Sequence, residues 1–106
     1  MKTFTIPIGE YTESKGMVYP KYPDGEYMLT IQEHKGEISI IGDRAGLRHI
    51  ASLILSISEA SETAPWHHSH LYPGNGEDLD NDSMSAMIGI HPKSKEYKLP
   101  PKSGGS

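Results

Sequence analysis

The chain has 106 residues, 35% hydrophobic side chains, no cysteine, and 14 acidic against 10 basic residues for a net charge of -4. That length supports one domain with a modest core. The charge excludes a protein that holds nucleic acid by phosphate neutralisation, which needs clustered Lys and Arg, and the missing thiols exclude a disulfide framework, a thiolate nucleophile and a thiolate metal centre.

In residues 3–8, Phe4, Ile6 and Ile8 alternate with Thr3, Thr5 and Pro7, which predicts a strand. Pro7 has no N–H for a ladder and places that strand at an edge. Residues 9–26 carry Gly9, Gly16, Pro20, Pro23 and Gly25 among Tyr11, Tyr19 and Tyr22, and read as a long loop. Its tyrosines either pack on the core or form a contact surface. A second strand is expected over 27–33 with Tyr27, Leu29 and Ile31 on one face. A third is expected over 37–41 with Ile38 and Ile40 inward. His34-Lys35-Gly36 between them is the turn of a β-hairpin.

Asp43 is a good N-cap for a helix over about 43–60. Leu47, Ile50, Ala51, Ile54 and Ile57 recur at helical spacing, so Leu47, Ile50, Ile54 and Ile57 are expected to be buried. His49 lies beside this stripe and reads as a structural or flanking residue. Pro65 forbids continuation, and Trp66 is expected to pack near the helix end. Residues 66–72 form a fourth strand, with Ser69 and Leu71 on one face and His68, His70 and Tyr72 on the other. The loop 73–82 follows. A fifth strand over 83–90 sets Met84, Ala86, Ile88 and Ile90 against Ser83, Ser85, Met87 and Gly89. The expected fold is α+β: a mainly antiparallel sheet in the order β-β-β-α-β-β, with the helix packed on one face. One domain over 1–92 and a flexible tail over 93–106 complete the organisation. No N-terminal signal pattern is present, and no run reaches the about 20 apolar residues of a membrane span. The expectation is a cytoplasmic protein with no membrane partner.

Three motifs resemble one known family when taken together. They are the helix opening Gly42-Asp43-Arg44-Ala45-Gly46-Leu47, the stretch His68-Ser69-His70-Leu71, and Pro73-Gly74-Asn75-Gly76 followed by acids and a last apolar strand. Over residues 37–90 the chain resembles the Immunity protein 32 family of bacterial polymorphic toxin systems. The resemblance implies a small cytoplasmic α+β protein that protects its maker by binding a cognate toxin. It brings His68 and His70 with it but assigns them no chemical role.

The residues themselves leave alternatives open. His68 and His70 at i, i+2 on a strand share a face. With His91 they supply three imidazoles, the basis for a small metal-binding domain or metal-dependent hydrolase. No H-E-x-x-H motif accompanies them, and as surface histidines they suit an interface equally. The acids Glu77, Asp78, Asp80 and Asp82 can be solvated turn residues. They do not form the full calcium loop, which needs glycine at its sixth position and glutamate at its twelfth. They can also face the basic cleft of a nuclease-like toxin, where complementary fields speed association. The reading carried forward is a non-enzymatic binding protein with no cofactor. Its contact residues are Glu77, Asp78, Asp80, Asp82, His68 and His70, and its partner is a toxin with a basic surface.

Overall fold

A two-residue turn at Lys35 and Gly36, with φ of 51° and 82°, folds residues 29–42 into a hairpin. Two successive positive φ values match the twist of the flanking strands, and glycine adopts one of them without steric cost. The computed structural model describes residues 1–12, 14–59 and 68–90. In chain order these hold β1 (Glu10–Thr12), β2 (Gly16–Val18), β3 (Leu29–His34), β4 (Glu37–Gly42), α1 (Arg44–Ser58), β5 (His68–Leu71) and β6 (Ala86–Gly89). The ladders β1–β2, β3–β4 and β5–β6 are all antiparallel. The fold is α+β, and the expected order around the helix holds from β3 onward, while β1 and β2 pair within residues 9–26, which read as a loop in the sequence. The tail at 93–106, Trp66 and His91 lie outside the described residues.

No strand forms at residues 3–8, and among the described residues they pair with no other strand. The segment instead lies along helix α1. The Arg48 guanidinium sits 4.5 Å from the centre of the Phe4 ring, Ser52 Oγ donates to Pro7 O at 2.7 Å, and the Gly9 N–H donates to Ser56 Oγ at 2.6 Å. Residues 48, 52 and 56 are one turn apart on a single helix face. An extended segment therefore matches their rise while the two serines supply the polar contacts that a neighbouring strand would have made.

Asp43 caps the helix as its sequence position predicts. Its Oδ1 accepts from the Gly46 N–H at 2.7 Å and from the Met28 N–H at 3.2 Å, and its own N–H donates to Met28 O at 3.2 Å. One carboxylate thus fixes the helix start to the entry of β3. A Cβ at Gly46 would overlap the Met28 carbonyl, so this crossing needs glycine.

The buried helix face differs from the expected stripe. Ile50, Leu53 and Ile57 are buried together with Gly46, Ser52 and Ser56, whereas Leu47 and Ile54 are 45% and 47% exposed. The face is rotated because the N-terminal segment occupies the serine side. Ile38 and Ile40 are also not inward, at 56% and 50% exposure. They share the face of Ile31 through the β3–β4 register, but the buried cluster is built from side chains of β3, α1, β5 and the loop, and no β4 side chain joins it. The core cluster is Leu29, Ile31, Ile50, Leu53, Leu71 and Leu79, with Tyr19, Tyr27, Ala86 and Ile88 packed against it. The alternation in the last strand holds from Ala86 and Ile88 but inverts at its start, where Ser83 is buried and Met84 exposed.

Candidate functional site

The loop between β5 and β6 forms around Leu79, which is only 2% exposed. The Leu79 N–H donates to Tyr72 O at 3.1 Å, and the Gly74 N–H donates to Leu79 O at 3.0 Å. Beyond Leu79 the chain runs along the side of β3 that β4 does not use. Asp80 N–H donates to Leu29 O at 2.9 Å and Met84 N–H to Ile31 O at 2.8 Å. Side chains provide the acceptors in return. Asp80 Oδ2 accepts from the Leu29 N–H at 3.1 Å and from Thr30 Oγ at 3.0 Å, and Ser83 Oγ accepts from the Ile31 N–H at 2.8 Å. Asp80 and Ser83 thus act as a substitute strand and satisfy the buried N–H groups of β3.

Asp78 has a different partner. Its Oδ1 lies 2.9 Å from His49 Nε2, and His49 Nδ1 lies 2.8 Å from the carbonyl oxygen of Tyr22. The Tyr27 ring stacks on the imidazole at 4.6 Å, and the Tyr27 hydroxyl donates to the Asp78 carbonyl at 3.0 Å. A carbonyl oxygen and a carboxylate both only accept hydrogen bonds, so both contacts are made together only when both imidazole nitrogens donate. That is the protonated form of histidine. The hydrogen bond to Asp78 raises the His49 pKa above its ordinary 6.5, burial opposes the rise, and the Tyr22 carbonyl adds to it. Burial, followed by the charges of Asp78 and Asp80, pushes the Tyr27 hydroxyl up to about 12.

These groups wall a cavity of about 330 Å³ whose lining includes Tyr19, Tyr22, Tyr27, His49, Leu53 and Asp78. A wider groove of about 600 Å³ shares Tyr27 and Asp78 and is lined further by Glu26, Glu77 and Asp80. The His49–Asp78 pair has the form of a general base and its orienting carboxylate. While it is protonated and donating to both oxygens, however, the imidazole has no lone pair to accept a substrate proton. Tyr27 retains its proton throughout the physiological range.

The other sequence-predicted residues lie on the hairpin beside this loop. His68, His70 and Tyr72 are exposed along one face of β5, as their parity requires, while Leu71 is fully buried on the other. The rings form a row, with His68 and His70 edge to face at 4.8 Å and His70 and Tyr72 stacked at 5.8 Å. Met87 stands opposite His70 in the β5–β6 register and is 51% exposed. Glu77 and Asp82 are exposed on the loop, whereas Asp78 and Asp80 are partly buried in the bonds described above. Among the described residues, no group of three or more His, Asp or Glu is placed to hold a metal ion.

His49, Tyr22 and Tyr27 are the site residues that reading the sequence did not bring together. His49 precedes Asp78 by 29 positions, and no motif spacing links the two. The usable signals were a histidine bordering a buried helix face and the density of tyrosine in residues 11–27.

Among the described residues no helix is long and apolar enough to cross a membrane. No curated protein and no solved structure matches the chain. Residues 37–91 match the profile of the family Immunity protein 32. The matched span starts at β4, takes in α1 and β5, contains the whole acidic loop and ends just past β6. Over just more than half of its length, including α1, the acidic loop and the β5–β6 hairpin, the chain belongs to the Immunity protein 32 family, while Tyr22, Tyr27 and β3 lie outside the matched span.

Proposed function

We propose that this chain is a non-enzymatic immunity protein that acts in the cytoplasm by binding and neutralising a cognate bacterial toxin. The observation that carries the reading is the family match over residues 37–91, which spans the acidic loop and the histidine strand together.

The proposed contact face is the outer side of β5–β6 with the adjoining loop. His68, His70, Tyr72 and Met87 give it the aromatic and methionine character enriched at interface cores. Glu77 and Asp82 lie exposed on the loop and contribute charge directly. Asp78 and Asp80 contribute negative potential while holding the loop's shape. With a net charge of -4 the protein suits a partner with a basic surface, and that complementarity acts mainly on the association rate.

The test is co-expression with the toxin domain encoded beside this protein's gene. Cells making both should grow, and the purified pair should elute as one complex. Growth arrest despite full expression of the soluble protein, with no complex in solution, contradicts the proposal.

A further inference from the structure

His49 joins three segments that are distant in the chain. Its ring is carried on α1, which is anchored in the core through the neighbouring Ile50. Nδ1 faces the Tyr22 carbonyl in the segment after β2, and Nε2 faces Asp78 in the acidic loop. Tyr27 covers one side of the ring, and its hydroxyl holds the backbone of the same aspartate. We propose that His49 is a pH-sensitive clasp, which when protonated holds residues 19–25 and the acidic loop together against α1 and releases them when it loses its proton.

The mechanism follows from counting donors. Protonated, the imidazole donates to both oxygens. Neutral, it keeps one N–H, and its other nitrogen turns a lone pair toward either the Tyr22 carbonyl or the Asp78 carboxylate. One of the two contacts is then repulsive, in a partly buried place where an unsatisfied polar group is costly. The titratable and charged groups around the ring come from every side. Asp78 and Asp80 lie on the loop, Tyr27 stands at the entry of β3, and Tyr19, Lys21 and Tyr22 lie on the segment that lines the same cavity. Arg48 on the helix itself is turned to Phe4. Among these side-chain types only histidine ordinarily changes charge near neutrality.

The sign is fixed by the direction of the shift. His49 is raised in the folded protein. The clasp is therefore fully present below the ordinary histidine pKa and is lost as pH rises through the folded value. The proposal concerns the isolated protein and is independent of any toxin contact.

Hydrogen exchange on the full chain, corrected for intrinsic exchange, tests it between about pH 5.5 and about pH 9, alongside an NMR titration of the His49 ring. Protection of the Gly74, Glu77 and Leu79 amides, which close the acidic loop on itself and on Tyr72, should fall roughly five- to tenfold as His49 titrates, while amides of β4 and the centre of α1 stay constant. His49→Gln, which donates to only one oxygen, should show the low protection at every pH. Asp78→Asn can turn its amide N–H toward the lone pair of the neutral imidazole while Nδ1–H still donates to Tyr22, so its protection should no longer change as His49 titrates. Flat protection through the His49 titration overturns the clasp. So does Asp78→Asn loosening at the wild-type pH, or His49→Gln keeping the transition.

Discussion

The acidic loop and strand β4 occupy places opposite to those their compositions suggest. The loop is written in glycine, asparagine and acids, yet it places Leu79 in the core and binds β3 through Asp80 and Ser83. Strand β4 is written in isoleucine, yet Ile38, Ile40 and Ile41 are all at least half exposed. The reason is hydrogen bonding. β3 has two sides, and among the described residues only β4 supplies a backbone ladder. The loop reaches the other side because carboxylate and hydroxyl groups can accept from the N–H groups of Leu29 and Ile31. Leu79 joins side chains of α1, β3 and β5 in the buried cluster, and the isoleucines of β4 stay outside it. A polar segment can be structural when its side chains stand in for a strand, and an apolar one can stay exposed when nothing reaches it.

Substitutions can break this contrast, and they rank by size. Leu79→Ala should cost about 2–5 kcal/mol in urea unfolding, the usual range for truncating a buried leucine. Ile40→Ala should cost below about 1 kcal/mol, because half of that side chain already meets water. If the two costs are equal or reversed, the assignment of inside and outside is wrong. Asp80→Ala and Ser83→Ala should each cost about 1–3 kcal/mol, because each leaves a β3 N–H without its acceptor. A loss under half that size would mean water replaces the side chain and the substitute-strand account fails. At the small end, Ile41→Thr and the pair Glu77→Gln and Asp82→Asn should change stability by less than about 0.5 kcal/mol. The acid pair should nevertheless slow association with the toxin, most at low salt, where screening is weakest. An unchanged on-rate there would make Glu77 and Asp82 solvated turn residues only.

Local signals in the chain carried much of this fold. Asp43 as a cap, Lys35-Gly36 as a tight turn and the parity of His68, His70 and Leu71 depend on neighbours a few residues away, and each stands as read. The errors arise where a distant segment decides burial. Leu47 and Ile54 fit a helical stripe, but the N-terminal segment occupies the Ser52–Ser56 side and rotates the buried face. Residues 3–8 alternate like a strand, but they found a helix rather than a ladder. The acidic loop was recognised as unusual, whereas the division of its acids between bonded and exposed was not legible. That division depends on His49, Leu29 and Thr30, none of which is near the loop in sequence.

The most direct measurement is a hydrogen-exchange footprint of this protein with and without its cognate toxin domain. The account predicts new protection at residues 68–72, 75–78 and 84–89, with little change along β4. Protection confined to residues 37–42 would place the toxin on the exposed isoleucines of β4 and contradict the proposed face.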